Sequence, residues 1–304
     1  MPAELIELSN ALAEITERAA RSTVAVHTEA RGSSSGVLWR PGVIVTAEHA
    51  LRRDEEVQVT LPDGRVVPAV LGGRDSSTDL AVLKCAEAAA ALPEFADVAF
   101  LKPGSITLVV GRTRASGAVA ALGVVSLVAP ERRTWTGAAL APYIRLDVGL
   151  QPTAVGGVVI DAHGRANGVA TTKFSRFGTI VIPAHTVSTV VDTLLEKGRI
   201  PRGYLGVGLQ PVRLPETLRQ SLQRNEKTAA IVLDVEPGGP AQKAGIVIGD
   251  ILVSLGGRQV AQLEDIQSQL HGEAIGKPVA VKFIRGGTTQ EVSILIGERL
   301  YGRR

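Results

Sequence analysis

The chain has 304 residues, of which 45% are hydrophobic and 21% charged, and its formal charge is +3. This length and composition are typical of a folded globular protein with room for two or three hydrophobic cores, and they exclude a disordered chain. The basic residues are scattered and aromatic residues make up only 3%, so the sequence gives no reason to expect a nucleic-acid partner.

The cysteine content and the hydropathy of the sequence give an expectation for the cellular compartment of the protein. Cys85 is the single cysteine, so an internal disulfide is excluded and an oxidising compartment is not indicated. Residues 1–20 carry charges throughout and do not have the basic start and apolar centre of a secretory signal. No run approaches the roughly 20 apolar residues that span a bilayer. We expect a cytoplasmic protein, with the periplasm as the alternative if a signal was removed before Met1.

Residues 1–20 are predicted to form an amphipathic helix. Apolar residues recur there at spacings of three and four, and they are Leu5, Leu8, Leu12 and Ile15. Such a stripe needs a partner surface. Two interpretations stay open: the stripe packs on its own domain, or it forms a contact between subunits.

Two successive sets of short β-strands follow the helix. The first set is predicted at residues 23–27, 36–39, 43–46, 57–61, 66–71 and 80–83. The second set is predicted at residues 106–110, 122–128, 144–147, 158–160, 168–171 and 179–182. Closely spaced strands without long helices between them favour a barrel or sandwich, and two sets of similar length favour two β-barrels packed together.

A helix closes the second strand set, and a separate unit follows it. Apolar residues between Val187 and Leu195 form one helix face, and Gly198 is placed to end the helix. Proline and charge make residues 200–202 a credible linker. We therefore predict a double-barrel domain over residues 21–199, a mixed α/β domain over 203–299 and a tail over 300–304.

Two residues at strand ends are candidates for catalysis. His49 directly follows a buried-looking strand, and Asp79 lies just ahead of another. A carboxylate beside an imidazole can orient the ring and stabilise its protonated form, which is the His–Asp half of a hydrolytic triad. Each residue also has an ordinary alternative: His49 as a hydrogen-bonded residue at a strand boundary, and Asp79 as a turn or cap residue.

The surrounding motifs resemble those of one protease family. The segments Thr46-Ala-Glu-His49 and Thr78-Asp79-Leu-Ala-Val-Leu-Lys84 look like the catalytic-histidine and catalytic-aspartate motifs of the HtrA/DegP family. Residues 20–299 as a whole resemble these trypsin-like serine proteases, which carry a PDZ domain. The resemblance implies a mainly β fold, with a trypsin-like double β-barrel followed by a mixed α/β PDZ domain.

The third motif departs from the family pattern. Between Asp147 and Asp161 a proline turn and a glycine pair form a tight loop of the kind that presents backbone N–H groups to an oxyanion. Family members have Gly-Asn-Ser-Gly-Gly-Pro-Leu there. This chain has Thr153, Ala154, Val155, Gly156, Gly157, Val158 and Val159.

The resemblance implies that Val155 occupies the nucleophile position and therefore cannot attack a carbonyl. It also implies that Thr153 replaces the glycine of the second oxyanion donor, and a β-branched residue disfavours the backbone angles open to glycine. Thr153 starts from a different loop position, and Cys85, in an apolar run, is expected to be a small core residue. Neither is a convincing replacement nucleophile.

The second domain carries the most specific resemblance. The run from Val232 to Leu252 is similar to the PDZ domains of the same family. By that resemblance, C-terminal carboxylates bind the backbone N–H groups of a loop made of Tyr204, Leu205, Gly206 and Val207. A bound peptide would add as a strand, with Ile266 and Leu270, four residues apart on a helix, facing the groove or alternatively forming core.

These features predict a catalytically inactive HtrA-like protein that binds peptides or unfolded protein, with family resemblance suggesting a trimer. One alternative is an active serine endopeptidase in protein quality control, with an unidentified nucleophile or a natural serine at position 155. Another is a subunit that mixes with an active paralogue. No cofactor or metal is expected, because the remaining histidines, His27, His163, His185 and His271, share no metal-ligand spacing.

Overall fold

The computed structural model describes residues 3–28, 32–51, 56–89, 91–115, 117–134, 138–175, 178–270 and 272–298. The first two residues of the predicted N-terminal helix, His271, residue 299 and the predicted tail lie outside these ranges. The chain divides into two compact units, the first ending at Ile200 and the second beginning at Pro201.

The first unit begins with a helix and continues with two closed β-barrels. The first barrel has the strand order β1-β2-β3-β6-β5-β4. Its elements are α1 (Ala3–Ala20), β1 (Thr23–Thr28), β2 (Gly32–Arg40), β3 (Val43–Ala47), β4 (Val57–Thr60), β5 (Val66–Asp75) and β6 (Leu80–Lys84). The six strands match the six runs predicted for the first set, except that Leu61 lies one residue beyond the end of β4.

The second barrel has the strand order β11-β14-β13-β12-β7-β8, beside a short two-stranded ribbon. Its elements are β7 (Ile106–Thr113), β8 (Gly117–Ala129), β9 (Arg132–Arg133), β10 (Ala139–Leu140), β11 (Tyr143–Asp147), β12 (Val158–Asp161), β13 (Ala166–Thr171) and β14 (Thr179–Pro183). The predicted fold class, a mainly β trypsin-like double barrel, is confirmed.

Strand β6 is buried on both faces, which explains why its sequence does not alternate between apolar and polar residues. Leu80 and Val82 belong to a core cluster shared by residues of both barrels, whereas Ala81 and Leu83 belong to the cluster inside the first barrel. Successive side chains of a strand point to opposite faces, so both faces of β6 are buried. The polar residue that precedes this strand, Asp79, is thereby fixed beside the core.

Helix α2 (Ala184–Lys197) closes the unit and ends as predicted at Gly198, which adopts a left-handed conformation (φ 69°). The two halves of the apolar stripe on helix α1 have different surroundings, and a contact between subunits stays a prediction. Leu12 and Ile15 pack against the core shared by the barrels, whereas Leu5 and Leu8 are exposed.

Two arginines tie α1 to the second barrel. Arg112 on β7 donates from Nη2 to the Ala20 carbonyl oxygen at 2.8 Å and from Nε to the Thr23 oxygen at 2.9 Å. Arg18 donates to the His163 carbonyl oxygen at 2.5 Å. The last carbonyl groups of a helix have no partner within it, and that of Ala20 finds one on β7.

The second unit contains a six-stranded sheet and short helices. Five strands of the sheet follow the order β16-β17-β18-β20-β21, and the sixth, β19, pairs with β18; β15 and β22 form a separate pair. Its strands are β15 (Gly203–Tyr204), β16 (Val207–Arg213), β17 (Thr228–Val235), β18 (Ile251–Leu255), β19 (Arg258–Gln259), β20 (Pro278–Arg285), β21 (Thr288–Leu295) and β22 (Gly297–Glu298). Its helices are α3 (Glu216–Ser221), α4 (Pro240–Lys243) and α5 (Leu263–Gln267).

Helix α5 is shorter than the spacing of Ile266 and Leu270 suggested. The helix ends at Gln267, and the Leu270 amide donates to the Gln267 oxygen at 3.2 Å in a turn. The Leu270 oxygen accepts from the Gly203 amide at 2.9 Å. The expectation that both residues lie on one helix is therefore wrong, because a tertiary backbone hydrogen bond holds Leu270 outside it.

Among the described residues, no helix has both the length and the hydropathy needed to cross a bilayer.

Candidate functional site

Strand pairing brings His49 and Asp79 together. Strand β3 runs antiparallel to β6, with Ala47 opposite Leu80, so the end of one strand lies beside the start of the other. A 3-10 turn over Glu48–Ala50 continues β3, and its first amide, that of Glu48, donates to the Asp79 carbonyl oxygen at 3.0 Å. The two candidate residues therefore face each other across a short backbone bridge.

The Asp79 carboxylate is fully buried and accepts hydrogen bonds from several groups. His49 Nδ1 lies 2.7 Å from Oδ2, and the His49 backbone amide donates to Oδ1 at 2.9 Å. The Thr171 hydroxyl also donates to Oδ2. A carboxylate oxygen accepts, so Nδ1 carries the proton and Nε2 is the nitrogen that could act as a base.

The backbone of Asp79 is in an uncommon conformation. Its φ of 59° lies in the left-handed region, which a side chain other than glycine adopts at a cost of about 1 kcal/mol or more. Asp and Asn tolerate this region better than other residues. The hydrogen bonds to the buried carboxylate hold the residue in this strained conformation.

A lysine joins this pair from the second barrel. Lys173, just beyond β13, places Nζ 3.1 Å from Glu48 Oε2, 3.1 Å from the Ser76 carbonyl oxygen and 3.5 Å from Asp79 Oδ1. Its side chain is 19% exposed. Arg74 lies 3.8 Å from the other oxygen of Glu48. Lys173 is not among the site residues predicted from the sequence. The feature that could have indicated it is its position two residues after Thr171, at the buried end of a strand.

The loop with Val155 has a defined turn. Residues Pro152–Ala154 form a 3-10 turn that ends at Val155, whose side chain is nearly buried, with 6% of the residue exposed. The Val155 amide donates to the Pro152 carbonyl oxygen at 3.2 Å. Because this N–H is used inside the turn, it does not point to a substrate carbonyl in this conformation.

The loop lies against the strand that leads to His49. Gly156 has a φ of 82°, and a Cβ added to it would overlap the Ser35 carbonyl oxygen and come within 2.9 Å of the Ala47 amide nitrogen. Glycine is therefore required by both conformation and space. The structure thus brings the loop and the end of β3 together.

Ser35 on β2 holds the loop from the first barrel. Its amide donates to the Val155 oxygen at 2.8 Å, and its hydroxyl donates to the Thr153 oxygen at 2.5 Å. The same hydroxyl accepts from the Arg112 amide at 2.9 Å. The sequence analysis did not single out Ser35, although three consecutive serines in an apolar strand were a signal that polar groups there meet partners.

Cys85 lies in the core of the first barrel. Burial raises the pKa of its thiol above the ordinary value. The thiolate is the nucleophilic form of cysteine, so this residue is a poor nucleophile.

The predicted peptide-binding loop precedes an edge strand of the second unit. Among the described strands, β16 pairs with β17 alone, and its Pro211 is compatible with an edge position. The Leu205 and Gly206 carbonyl oxygens accept from the Ala241 and Glu236 amides at 2.8 and 2.9 Å. These bonds hold the loop through its carbonyl groups.

The predicted groove residues have different surroundings. Ile266 is buried in the core cluster that also contains Leu205, and Leu270 packs against that cluster. Helix α5 packs against β16. Both interpretations of Ile266 and Leu270, as core and as groove floor, are compatible with these contacts.

Comparison with known proteins adds two domain matches. The family model described as "Trypsin-like peptidase domain" matches residues 34–169, and the model described as "PDZ domain" matches residues 203–296. A protein of Bartonella henselae named "Probable periplasmic serine endoprotease DegP-like" is 32% identical over 83% of this chain and 50% of its own length. A protein of Halomonas elongata with the same name is 29% identical over 90% of this chain and 58% of its own length.

The chain belongs to the HtrA/DegP family.

Solved structures of HtrA-type proteins agree with this assignment. A serine endoprotease from Yersinia pestis has a TM-score of 0.74 and 25% identity, over 94% of this chain and 97% of its own. The HtrA-type protease AlgW with a decapeptide has a TM-score of 0.77 over 95% and 99% of the two chains; at 23% identity it shows the fold alone. The HtrA/DegP chain spans about half the length of the curated relatives it matches, 50 to 58%.

Proposed function

We propose that this HtrA/DegP-family chain is a pseudoprotease that binds peptides or unfolded protein through its PDZ domain and its degenerate cleft. The observation that carries the proposal is Val155 in the loop where the family has its serine. Valine has no hydroxyl, so it cannot form the acyl intermediate of a serine protease. A scaffold, chaperone-like or regulatory role follows from binding without cleavage.

The hydrogen bonds around Val155 support the proposal independently of its side chain. An oxyanion site needs N–H groups directed at the developing charge, and the Val155 amide donates to Pro152 instead. Residue 153, the position of the second donor by family resemblance, is a β-branched threonine. Loss of the nucleophile and of the oxyanion donors together removes the two largest contributions to acyl transfer.

In the described part of the chain, the nearby Ser35 does not replace the missing hydroxyl. Ser35 is fully buried, and its hydroxyl already contacts the Thr153 oxygen and the Arg112 amide. His49 keeps its contact to Asp79. The cleft therefore retains a base and its orienting carboxylate, while the Ser35 hydroxyl is not available for the base to activate.

Peptide binding is proposed for the second unit. An exposed sheet edge at β16, beside the loop Tyr204–Val207, is the geometry in which a peptide adds as a strand. Its C-terminal carboxylate would accept hydrogen bonds from the loop amides, and its last side chains would contact Ile266 and Leu270. On this proposal the cleft lies within residues 21–199 and the peptide site within residues 203–299.

The compartment and the assembly are parts of the same proposal. The cytoplasmic expectation finds no support among the relatives, which are named as periplasmic proteins, so we place the chain in the periplasm. A homotrimer remains a prediction by family resemblance. The exposed Leu5 and Leu8 on α1 are compatible with a subunit contact, and light scattering at micromolar concentration would test it.

Two measurements on the unaltered chain test the loss of protease activity. We expect no cleavage of casein above that of a His49→Ala variant, and no adduct with a serine-directed fluorophosphonate. Cleavage that disappears in the His49→Ala variant, together with an adduct, would overturn the proposal and favour an active endopeptidase.

Peptide binding is tested with paired probes. Fluorescent peptides with a free C-terminal carboxylate should bind, and the same peptides with a C-terminal amide should not, because the amide cannot supply the charge that the loop N–H groups recognise. Equal affinity for both forms would contradict a role for the Tyr204–Val207 loop.

A further inference from the structure

The cluster of Glu48, Lys173 and Asp79 places a lysine side chain beside the His–Asp pair. In a hydrolytic triad, the aspartate stabilises the imidazolium that forms when the histidine takes the nucleophile's proton. Here the Lys173 ammonium lies 3.5 Å from Asp79 Oδ1, while His49 Nδ1 lies 2.7 Å from Oδ2. The two basic groups thus share one buried carboxylate.

Burial makes this competition strong. The Asp79 side chain is fully buried, and those of Lys173 and Glu48 are 19% and 14% exposed. Charges in such surroundings are screened little by solvent, so a cation at this distance offsets much of the field that the carboxylate exerts on the imidazole. Protonated His49 also experiences repulsion from the ammonium.

Lys173 is held in place by contacts outside the His–Asp pair. Its ammonium contacts Glu48 Oε2 and the Ser76 carbonyl oxygen, each at 3.1 Å. Lys173 follows β13 of the second barrel, whereas its partners belong to the first barrel. The side chain is therefore an ionic link between the barrels as well as a neighbour of the base.

We propose that Lys173 is a second determinant of inactivity, a positioning residue whose ammonium neutralises Asp79 and so weakens the support that the carboxylate gives to protonated His49. The inference rests on the proposed pseudoprotease function and deepens it. It implies that the cleft departs from an active triad in two separate ways: a missing hydroxyl at Val155, and a carboxylate that His49 shares with Lys173.

The direct test needs no protease activity. The protonation of His49 is followed by NMR of the full chain labelled in its imidazole nitrogens, with the resonance identified by its loss in a His49→Gln variant. We expect the midpoint of His49 protonation to rise by about one pH unit in Lys173→Met, because removal of the cation leaves the Asp79 charge to stabilise imidazolium. An unchanged or lower midpoint overturns the inference.

The variants are chosen to separate charge from structure. Among the described residues, Lys173 beyond β13 and the Thr171 hydroxyl contact Asp79, and Glu48 on the 3-10 turn pairs with Lys173 and with Arg74 on β5. Lys173→Arg keeps the charge and should leave the midpoint near that of the unaltered chain. The double variant Glu48→Gln with Lys173→Met removes the carboxylate left behind, so it provides a folded reference if the single variant is unstable. Lys282→Met, at an exposed ion pair with Glu291, controls for loss of a lysine.

A second arm uses a restored nucleophile. With Val155→Ser as background, addition of Lys173→Met should raise kcat/KM about tenfold, mainly through kcat, and move the acid limb of the pH–rate profile to higher pH. Equal kcat and equal profiles overturn the inference, even though the chain would still be a pseudoprotease. Cleavage by the unaltered chain would instead contradict the proposed function, whatever the behaviour of Lys173. If the restored background is inactive, the NMR arm decides alone.

Discussion

The Ser35 hydroxyl donates a 2.5 Å hydrogen bond to the Thr153 carbonyl oxygen, across 118 positions of sequence. It also accepts from the Arg112 amide, so one buried hydroxyl links β2, β7 and the loop that contains Val155. A serine in this position stabilises the loop in the form that directs the Val155 amide into its own turn.

The first prediction concerns this hydroxyl. Ser35→Ala should lower the free energy of unfolding by about 1–3 kcal/mol, because a buried carbonyl and a buried amide lose their partner. Ser34→Ala is the matched control: it is also buried, and its hydroxyl has no hydrogen-bond partner in the described part of the chain. We expect the control to change stability by less than about 0.5 kcal/mol. Denaturant unfolding measures both, and equal losses would contradict the assigned role of Ser35.

The second prediction is partial restoration of catalysis. Val155→Ser alone should give weak casein cleavage, and the triple change Thr153→Gly, Ala154→Asn and Val155→Ser should give more. Serine supplies the nucleophile, and glycine at 153 permits the backbone angles of an oxyanion loop. Activity should vanish when His49→Ala is added. Equal activity of the single and triple variants would show that Thr153 is not an obstacle.

The third prediction tests a buried carboxylate in the second unit. Arg285 donates to Asp250 from Nε and Nη2, both at 2.7 Å, and Asp250 is 1% exposed. Arg285→Ala leaves that buried charge without its partner, so the second unit should be clearly destabilised. Lys282→Ala on the same strand breaks an exposed pair with Glu291 and should cost no more than about 1 kcal/mol. Equal losses of thermal stability in the two variants would argue against the difference in burial as the cause.

The fourth prediction is a pH dependence. Burial lowers the pKa of His27, and the positive charge of Arg114 lowers it further. The unfolded chain then binds the proton more readily than the folded chain, so the contribution of His27 to stability is complete above about pH 6.5 and is lost as the pH falls from there through the lower pKa of the folded state. His27→Gln, beside Thr60, should reduce the loss of stability between pH 7.5 and 5.5. A His185→Gln variant at an exposed site serves as the control in denaturant midpoints, and an identical loss in the His27→Gln variant would contradict the prediction.

Much of the architecture could be predicted because it depends on local patterns. The apolar run of β6 is visible within a few residues of sequence. The same is true of the motif that ends at His49 and of the motif that contains Asp79. The Lys173–Glu48 contact joins residues 125 positions apart, and no local pattern encodes such a pairing. The position of Leu270 outside the predicted helix also involves a residue far away in sequence, because its carbonyl oxygen accepts a hydrogen bond from the Gly203 amide.

The anchoring of α1 has a consequence for synthesis of the chain. The helix is translated before its anchors: Arg112, which binds its last carbonyl group, lies 92 positions after Ala20, and the His163 oxygen lies 145 positions after Arg18. At about 5–20 residues per second, the ribosome needs roughly 7–30 s to add those 145 residues. Helix α1 is thus anchored only after most of both barrels has been made, and until then its apolar stripe is available to nascent-chain chaperones.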